Sequence, residues 1–341
     1  MKIYIDAMGG DNAPQSTVEG AKEALTLHPA LEIELAGPID TITAECARVF
    51  ADAPALRERV TLTDCPELIT NDESPVMAVR HKKQSAIVDG MLKLRDHQVD
   101  AFVSAGSTGA VLAGGMFRLG RVKGIERPAL APLLPNGKDF FLLIDCGANV
   151  DCRPDYLLQF GMMGSAYMKC MRGKENPRVG LVNNGAESEK GCALTKATYE
   201  LLEQSGLNFV GNVEAREITH DAADVIVCDG FVGNVILKFM EGVAGTLMGM
   251  IKHEMLADAR SKIGALLAKP AFRRVKKAMD YSEVGGAPLL GVAGNVVKAH
   301  GSCNSHAFAC AVKQAVQMID SDVVGKITSQ LVCAPTPEAG E

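Results

Sequence analysis

The chain has 341 residues and a formal net charge of −6, which excludes a molecule that binds nucleic acid over its whole surface. Hydrophobic residues make up 47% of it, and its ten cysteines form no CxxC pair. We therefore expect a globular protein of a reducing cytoplasm, with neither a disulfide framework nor a zinc site. No apolar run approaches the length needed to cross a bilayer, and the first residues turn polar too soon for a secretory signal.

Short apolar or β-branched runs alternate with longer amphipathic segments, which is typical of an α/β sheet covered by helices. Several runs are apolar on both faces, as buried parallel strands are. The predicted strands are Lys2–Asp6, Glu32–Ala36, Val60–Thr63, Val99–Ser104, Phe140–Asp145, Arg178–Val182 and Ala223–Cys228. The predicted helices are Thr17–Leu27, Ser85–Asp96, Pro154–Met171, Cys192–Glu203, Asn234–Ala259 and Ser305–Ser321. The tail Ala334–Glu341 is predicted to be frayed.

Five of the predicted strands run into short turns of glycine and small polar residues. Such turns lie at the carboxyl ends of the strands, the edge at which open α/β sheets bind ligands. Glycine lets backbone N–H groups approach an anion closely, and a following helix adds partial positive charge. Five such turns favour a binding site, although some of them must be structural. The turns are Ala7–Asp11, Ala105–Ala110, Cys146–Asn149, Asn183–Gly185 and Asp229–Asn234.

The signatures of common nucleotide and hydrolase sites are missing from the sequence. It contains no GxGxxG, GxxxxGK[ST], GxSxG or HExxH pattern. This counts against a common dehydrogenase, a P-loop enzyme, a serine hydrolase and a zincin.

Seven segments between the N-terminus and about residue 330 carry a resemblance to a known family. They are Asp6–Asp11, Ser104–Ala110, Gly124–Ala129, Asp145–Asn149, Val227–Asn234, Gly285–Val292 and Lys298–Gly301. A single segment is weak evidence of the resemblance, whereas the whole set in this order is highly specific. In this set the chain resembles the phosphate acyltransferase family of bacterial phospholipid synthesis.

The resemblance implies a three-layer α/β/α fold with a largely parallel sheet, related to isopropylmalate dehydrogenase and phosphotransacetylase. It implies one two-lobed domain over residues 1–333, a homodimer, and conversion of acyl-[acyl-carrier-protein] and inorganic phosphate into acyl phosphate and free carrier. No cofactor and no metal are expected. The implied setting is cytoplasmic and peripherally membrane-associated, with contacts to anionic lipid and to the glycerol-3-phosphate acyltransferase that uses the product.

Two departures from the family pattern bear on the chemistry. Where the family usually has Asn-Ile-Gly-Glu-Glu, residues 183–187 read Asn-Asn-Gly-Ala-Glu. Ala186 cannot do the work of a carboxylate, so the expectation moves to Glu187. Cys146 replaces the usual aliphatic residue before the Gly-Ala-Asn turn, which argues against a required cysteine nucleophile there.

The implied reaction needs a site that holds a phosphate dianion near a thioester carbonyl and stabilises the developing oxyanion. Backbone N–H groups of the glycine turns and the side-chain hydroxyls among them can do both. No covalent acyl-enzyme is required. The predicted phosphate-binding residues are Asp6, Gly9, Gly10, Asp11, Ser104, Gly106, Ser107, Thr108, Gly109, Asn149, Asn183, Gly185, Gly230 and Gly233.

The catalytic candidates follow the same segments. Asp229 and Asn234 bracket the predicted start of the long helix and form the best pair. Among the cations Lys83, Arg127, Lys190, Lys298 and His300, we prefer Lys190 as the phosphate partner because it follows the altered glutamate segment. The catalytic candidates are Asp229, Asn234, Glu187, Lys190 and His300.

Each of these candidates also has a structural explanation. A solvated lysine on a loop is the more common situation, and a hydrogen-bonded structural histidine is at least as common as a catalytic one. Carboxylates at strand ends often cap turns or helices. We expect at least half of Asp6, Asp11, Asp145 and Asp229 to be structural.

An apolar stripe on the long helix is followed by a second apolar stretch and a run of seven cations without an acid between residues 260 and 277. One interpretation is a core-facing helix with a solvated cationic edge. The other is a protruding helical hairpin at about residues 240–280 that docks an acidic carrier protein or anionic lipid. The cations predicted to form this surface are Arg260, Lys262, Arg273, Arg274, Lys276 and Lys277.

Three rival functions stay open. A nicotinamide-dependent decarboxylating dehydrogenase would need clustered carboxylates and arginines, and no compact set is found. An acetyl-CoA phosphotransacetylase shares the chemistry but uses another acyl carrier, and the basic run favours a protein carrier. A non-catalytic membrane scaffold is hard to reconcile with five polar strand ends.

Overall fold

Two sheets flanked by helices make up the fold in a computed structural model that describes residues 1–279 and 285–332. Only the backbone is described for residues 276–279 and 331–332. The tail predicted at Ala334–Glu341 lies outside the described residues.

The strands are short and separated by helices, as the alternation of the sequence predicts. The strands are β1 (Lys2–Asp6), β2 (Glu32–Gly37), β3 (Val60–Asp64), β4 (Ala101–Ser104), β5 (Ala129–Leu130), β6 (Leu133–Pro135), β7 (Phe140–Ile144), β8 (Arg178–Asn183), β9 (Asn208–Glu214), β10 (Val225–Val227), β11 (Ala287–Leu290) and β12 (Asn295–Lys298).

Helices cover the two sheets and connect most of the strands. The helices are α1 (Gln15–Leu27), α2 (Ile39–Val49), α3 (Pro54–Arg57), α4 (Pro75–His81), α5 (Ala86–Arg95), α6 (Thr108–Gly114), α7 (Pro154–Arg172), α8 (Ala193–Glu203), α9 (Gly230–Met255), α10 (Ala259–Met279), α11 (Ser305–Asp320) and α12 (Val323–Val332). A π-helical turn, Gly115–Leu119, continues α6.

The first sheet has the strand order β3-β2-β1-β4-β12-β11-β5, and the second has the order β6-β7-β10-β8-β9. Strands β3, β2, β1, β4 and β12 are mutually parallel, as are β7, β10, β8 and β9. The predicted α/β class with largely parallel pairing is therefore confirmed. Because β1, β4 and β12 are neighbours, the turns that follow them meet at one edge.

The predicted strands with apolar residues on both faces are all present, and their ends differ from the prediction by at most two residues. The strands that the sequence did not reveal are β5, β6, β9, β11 and β12. These are short or carry glycine, proline or asparagine, and β9 is only partly buried, so neither a long apolar run nor strict alternation marks them.

The helical hairpin α9–α10 stands away from the sheets. Within α9 only Gly230 and Gly233 are buried, and large apolar side chains such as Phe239 and Leu247 are exposed, as is Leu267 on α10. A groove of about 950 Å³ with a mostly apolar lining runs between the two helices. The cations Arg260, Lys262, Arg273 and Arg274 are exposed on α10; the side chains of Lys276 and Lys277 lie outside the described residues.

Helix α9 corrects one sequence expectation. Among the described residues, it is long and apolar enough by length and composition to cross a membrane, which contradicts the expectation that no run is. The run was missed because Lys238 and Glu241 interrupt it, while the mean hydropathy over 18 residues stays at 1.3. Such a helix is weak evidence for a span, since soluble proteins also contain them.

Candidate active site

Asp6 and Ser104 join the turns that follow β1 and β4. The Ser104 hydroxyl donates a hydrogen bond of 2.7 Å to Asp6 Oδ2 and accepts one of 2.9 Å from the Gly106 N–H. A Cβ on Gly9 would lie 2.6 Å from the Gly106 nitrogen, so glycine is what lets the two turns touch. Burial raises the pKa of Asp6, although the hydrogen bond from Ser104 favours the ionised carboxylate.

Lys298 ends β12 beside these two turns and is itself 7% exposed. Its ammonium donates a hydrogen bond to the carbonyl oxygen of Ala299. Burial lowers the pKa of Lys298 to about 8, although the nearby carboxylates of Asp6 and Asp11 favour its charged form. The N–H of Asp11 donates to the Gly301 carbonyl over 2.8 Å, which ties the turn after β1 to the turn after β12.

Helix α6 begins at Thr108, and no described residue outside the helix caps its first N–H groups. Ser107 occupies the cap position without a side-chain cap hydrogen bond. Val111 is the residue whose N–H bonds back to the Ser107 carbonyl, over 3.0 Å, so the N–H groups before it have no acceptor within the helix. Helix α4 packs on this turn, since a Cβ on Gly109 would lie 2.6 Å from Pro75 Cγ.

Asp145 organises the edge of the second sheet. It is fully buried and accepts hydrogen bonds from the N–H groups of Leu130 (2.9 Å), Ala148 (3.3 Å) and Asn149 (2.6 Å). The Asn149 side-chain amide donates to Asp145 over 3.0 Å and to the Pro128 carbonyl over 2.8 Å. Burial raises the pKa of Asp145 to about 6 despite these donors.

The turn before α9 is closed by its own hydrogen bonds. Asp229 Oδ1 accepts from the Val232 N–H over 2.9 Å, and the Gly230 N–H donates to the Asn149 carbonyl over 2.7 Å. A Cβ on Gly233 would overlap the Asp145 carbonyl oxygen. The helix thus begins four residues earlier than the predicted start at Asn234, because Asp229 caps it.

A cavity of about 340 Å³ lies between the two sheet edges. The first sheet contributes Thr108 and the segment Lys298–Gly301, and the second contributes Cys146 and Gly147. One face of α9 forms a further wall, because residues three and four apart share a helix face. The residues of that wall are Asn234, Leu237, Lys238 and Glu241.

His300 and Cys146 differ in what they can do in the cavity. His300 Nδ1 accepts from the Ser302 N–H over 3.2 Å, and since that group can only donate, the proton of the neutral ring lies on Nε2. The Ser302 hydroxyl lies 2.9 Å from the same nitrogen. Burial raises the pKa of Cys146 well above its usual range, so its sulfur is a neutral thiol and no nucleophile.

The loop after β8 does not reach the cavity. Asn183 donates to the Lys190 carbonyl over 3.1 Å, and Asn212 donates to the Glu187 carbonyl over 2.8 Å. The side chains of Glu187 and Lys190 are exposed, and neither these residues nor Gly185 line the cavity.

The structure thus brings Thr108, Asn234 and His300 to the cavity, while most other predicted residues build its frame. Lys298 was named among the cations but not preferred, and Lys238 and Glu241, which line the same cavity, were missed. The signal that could have found the latter two is their helical spacing from Asn234, at four and seven residues. Among the described residues no group of His, Cys, Asp and Glu side chains could hold a metal ion.

Solved structures with this fold include acyl-transferring enzymes. A phosphotransacetylase from Streptococcus pyogenes matches with a TM-score of 0.62 at 14% identity, over 94% of each chain. A branched-chain phosphotransacylase from Enterococcus faecalis V583 matches with a TM-score of 0.58 at 12% identity, over 94% of this chain and 99% of the other. At such identity these matches show the fold alone.

Sequence relatives are much closer. The family model described as "Fatty acid synthesis protein" matches residues 1–326. A phosphate acyltransferase from Clostridium acetobutylicum is 48% identical, over 97% of this chain and 99% of its own length. One from Alkaliphilus oremlandii is 49% identical, over 96% of each chain. The chain therefore belongs to the phosphate acyltransferase family.

Proposed function

We propose that the protein transfers an acyl group from the thioester of an acyl carrier protein to inorganic phosphate. The relatives' name gives phosphate as the acceptor. The observation that carries the proposal is the buried ammonium of Lys298 in a cavity that also contains the uncapped start of α6. A buried cation beside unbonded backbone N–H groups is an anion site.

The reaction then proceeds by direct attack. A phosphate oxygen forms a bond to the thioester carbonyl carbon, and the carbon–sulfur bond breaks with its electron pair moving to sulfur. The proton of hydrogen phosphate ends on the departing thiolate, so the products are acyl phosphate and free carrier thiol. Holding the two reactants in line accounts for several kcal/mol of the barrier, about 7–11 in well-oriented cases.

The cavity residues divide this work. Lys298, Lys238 and the N–H groups at Thr108 hold the phosphate. His300, which carries its proton on Nε2, and Asn234 donate hydrogen bonds to the oxygen that becomes negative in the transition state. Asp229 positions Asn234 by capping α9. The catalytic roles of Glu187 and Lys190 stay predictions, since the exposed loop that carries them would have to move.

The test is to incubate the protein with palmitoyl-[acyl-carrier-protein] and radiolabelled phosphate. Label should enter a product that is acid-labile and sensitive to hydroxylamine, without added nucleotide or metal. Absence of such a product from a protein that still binds phosphate would refute the proposal. Adding NAD with a 2-hydroxy acid in place of these substrates tests the dehydrogenase alternative.

The second candidate is a transacylase that takes its acyl group from coenzyme A. The structural neighbours named phosphotransacetylase make it worth testing, although they are matched in fold alone. Acyl-CoA and acyl carrier protein with the same chain should be compared at equal concentration. A higher kcat/KM with acyl-CoA would favour this alternative.

We also propose that the α9–α10 hairpin is the docking element of a peripheral, cytoplasmic homodimer whose two sheets act as lobes of one domain. Exposed cations beside an apolar groove suit an acidic carrier, an anionic membrane or the acyltransferase that uses the product. Reversing Arg273 and Arg274 to Glu should flatten the salt dependence of KM for the carrier or abolish vesicle binding. Reversing Lys169 and Lys196, exposed on other helices, is the matched control.

A further inference from the structure

We propose that Glu241 makes the anion site selective for an anion that still carries a proton, so that hydrogen phosphate binds and sulfate does not. The inference rests on the proposed function, because it places phosphate in this cavity. It adds the residue that separates phosphate from an anion of the same shape and similar size.

Glu241 projects from the α9 wall of the cavity three residues after Lys238. Its Oε1 atom is buried and accepts no hydrogen bond from the described residues. Among the described residues that line the cavity, it is the one acid. It lines the same cavity as Cys146 of the second sheet edge, and after burial its charge contributes to the raised pKa of that thiol.

A buried carboxylate oxygen without a donor is destabilising, because it has lost its hydrogen bonds to water and nothing replaces them. An ionised carboxylate can only accept hydrogen bonds, so whatever completes this site must bring a proton to donate. None of the described residues supplies this donor, and Lys238 in particular makes no ion pair with Glu241, so a ligand that can donate a hydrogen bond completes the site.

Hydrogen phosphate meets that requirement, and sulfate does not. Near neutral pH inorganic phosphate retains at least one P–O–H group, which can donate to Glu241, whereas sulfate is fully ionised. The charge of the Glu241 carboxylate repels either anion, and only phosphate offsets this repulsion with a hydrogen bond. Lys298 and Lys238 attract both anions, so the carboxylate is what tells them apart.

The experiment compares sulfate inhibition in the wild type and in the Glu241→Gln variant of the full chain. Glutamine keeps the size but offers an N–H₂ donor, so the inhibition constant of sulfate, relative to KM for phosphate, should fall by about tenfold or more. Arsenate, which keeps a proton as phosphate does, should compete similarly in both proteins. Glu254→Gln, an exposed glutamate on the same helix, is the control and should leave the ratio unchanged.

An unchanged sulfate ratio in folded Glu241→Gln protein would overturn the proposal. If the variant is folded but inactive, thermal protection replaces kinetics: sulfate should raise Tm of the variant and not of the wild type. Equal protection of both proteins by sulfate would again overturn it. If the wild type makes no acyl phosphate, the proposed function fails. Thermal protection by phosphate and by sulfate then still tests whether Glu241 makes the site selective.

Discussion

The two sheet edges that face the cavity share a sequence pattern and differ in how their polar groups are used. At the second edge, Asp145, Asn149 and Asp229 are hydrogen-bonded to neighbouring backbone groups. At the first edge, Lys298 is buried against one backbone carbonyl, and α6 begins at Thr108 without a cap. Asp6 and Ser104 are bonded to each other at the first edge as well, so the difference lies in Lys298 and the start of α6, which offer donors to a ligand.

The comparison shows that a turn of glycine and polar residues after a strand identifies an edge of the sheet. It does not show whether the residues of that turn bind a ligand or hold the fold together. The role depends on whether the polar group is already bonded inside the protein. Gly233 illustrates the framework use, since it lets α9 approach β7 closely, and no phosphate is needed to explain it.

The largest effect is expected at the frame. Asp145→Ala leaves the buried N–H groups of Leu130, Ala148 and Asn149 without an acceptor, which should lower the free energy of unfolding by about 3–5 kcal/mol. Denaturant titration measures this. A loss below about 1 kcal/mol would mean that the second edge is not a hydrogen-bonded frame.

The next largest effect is a difference between Lys298 and Lys190 in how far their replacement lowers kcat/KM for phosphate. Lys298→Met removes the buried cation and should lower kcat/KM for phosphate by about a hundredfold or more. Lys190→Met, on the exposed loop, should change it by less than about threefold. Steady-state kinetics with both variants checks this, and the reverse ranking would place the loop after β8 in the site.

The pH dependence of phosphate binding should follow the same lysine. The ammonium of Lys298 is present below its pKa of about 8 and is lost above it, so KM for phosphate should rise with pH above that value. The rise approaches about tenfold per pH unit. Lys298→Arg, whose charge persists to higher pH, should shift the rise upward. A flat KM from pH 7 to 10 in the wild type would show that this charge does not hold the phosphate.

The smallest effect concerns Cys192, which is exposed at the start of α8. Backbone N–H groups, that of Thr195 foremost, lower the pKa of its thiol, while burial raises the pKa values of Cys146 and Cys228. Iodoacetamide should therefore alkylate Cys192 first and leave activity unchanged. Cys192→Ser should show no such early labelling. Inactivation that tracks labelling at Cys192 would contradict a site that excludes the segment after β8.

The parts of the fold that depend on local burial could be predicted from the sequence. Strands β1, β4 and β7 are apolar on both faces, and that pattern suffices to find them. Strand β12 escaped prediction, because its place depends on pairing with β4 rather than on a local pattern.

A site residue could be predicted only where a segment that stands out in the sequence also reaches the cavity in the fold. Thr108, Asn234 and His300 lie in segments that the sequence marks and that reach the cavity. Lys298 ranked below Lys190, because only the pairing of β12 with β4 brings it beside Ser104. Lys238 and Glu241 depended on the register of α9, which the cap at Asp229 sets.

Helix α9 belongs both to the hairpin and to the wall of the cavity, so it couples movements of the two. Its 26 residues span about 39 Å, and its buried residues, Gly230 and Gly233, lie in the first turn. Glu241 is about 12 Å along the axis from Gly233, and Met255 is about 33 Å from it. A rigid tilt about Gly233 therefore acts as a lever, and a displacement at the far end reaches Glu241 reduced about threefold. A partner that binds the hairpin therefore also restricts the movement of the α9 wall of the cavity.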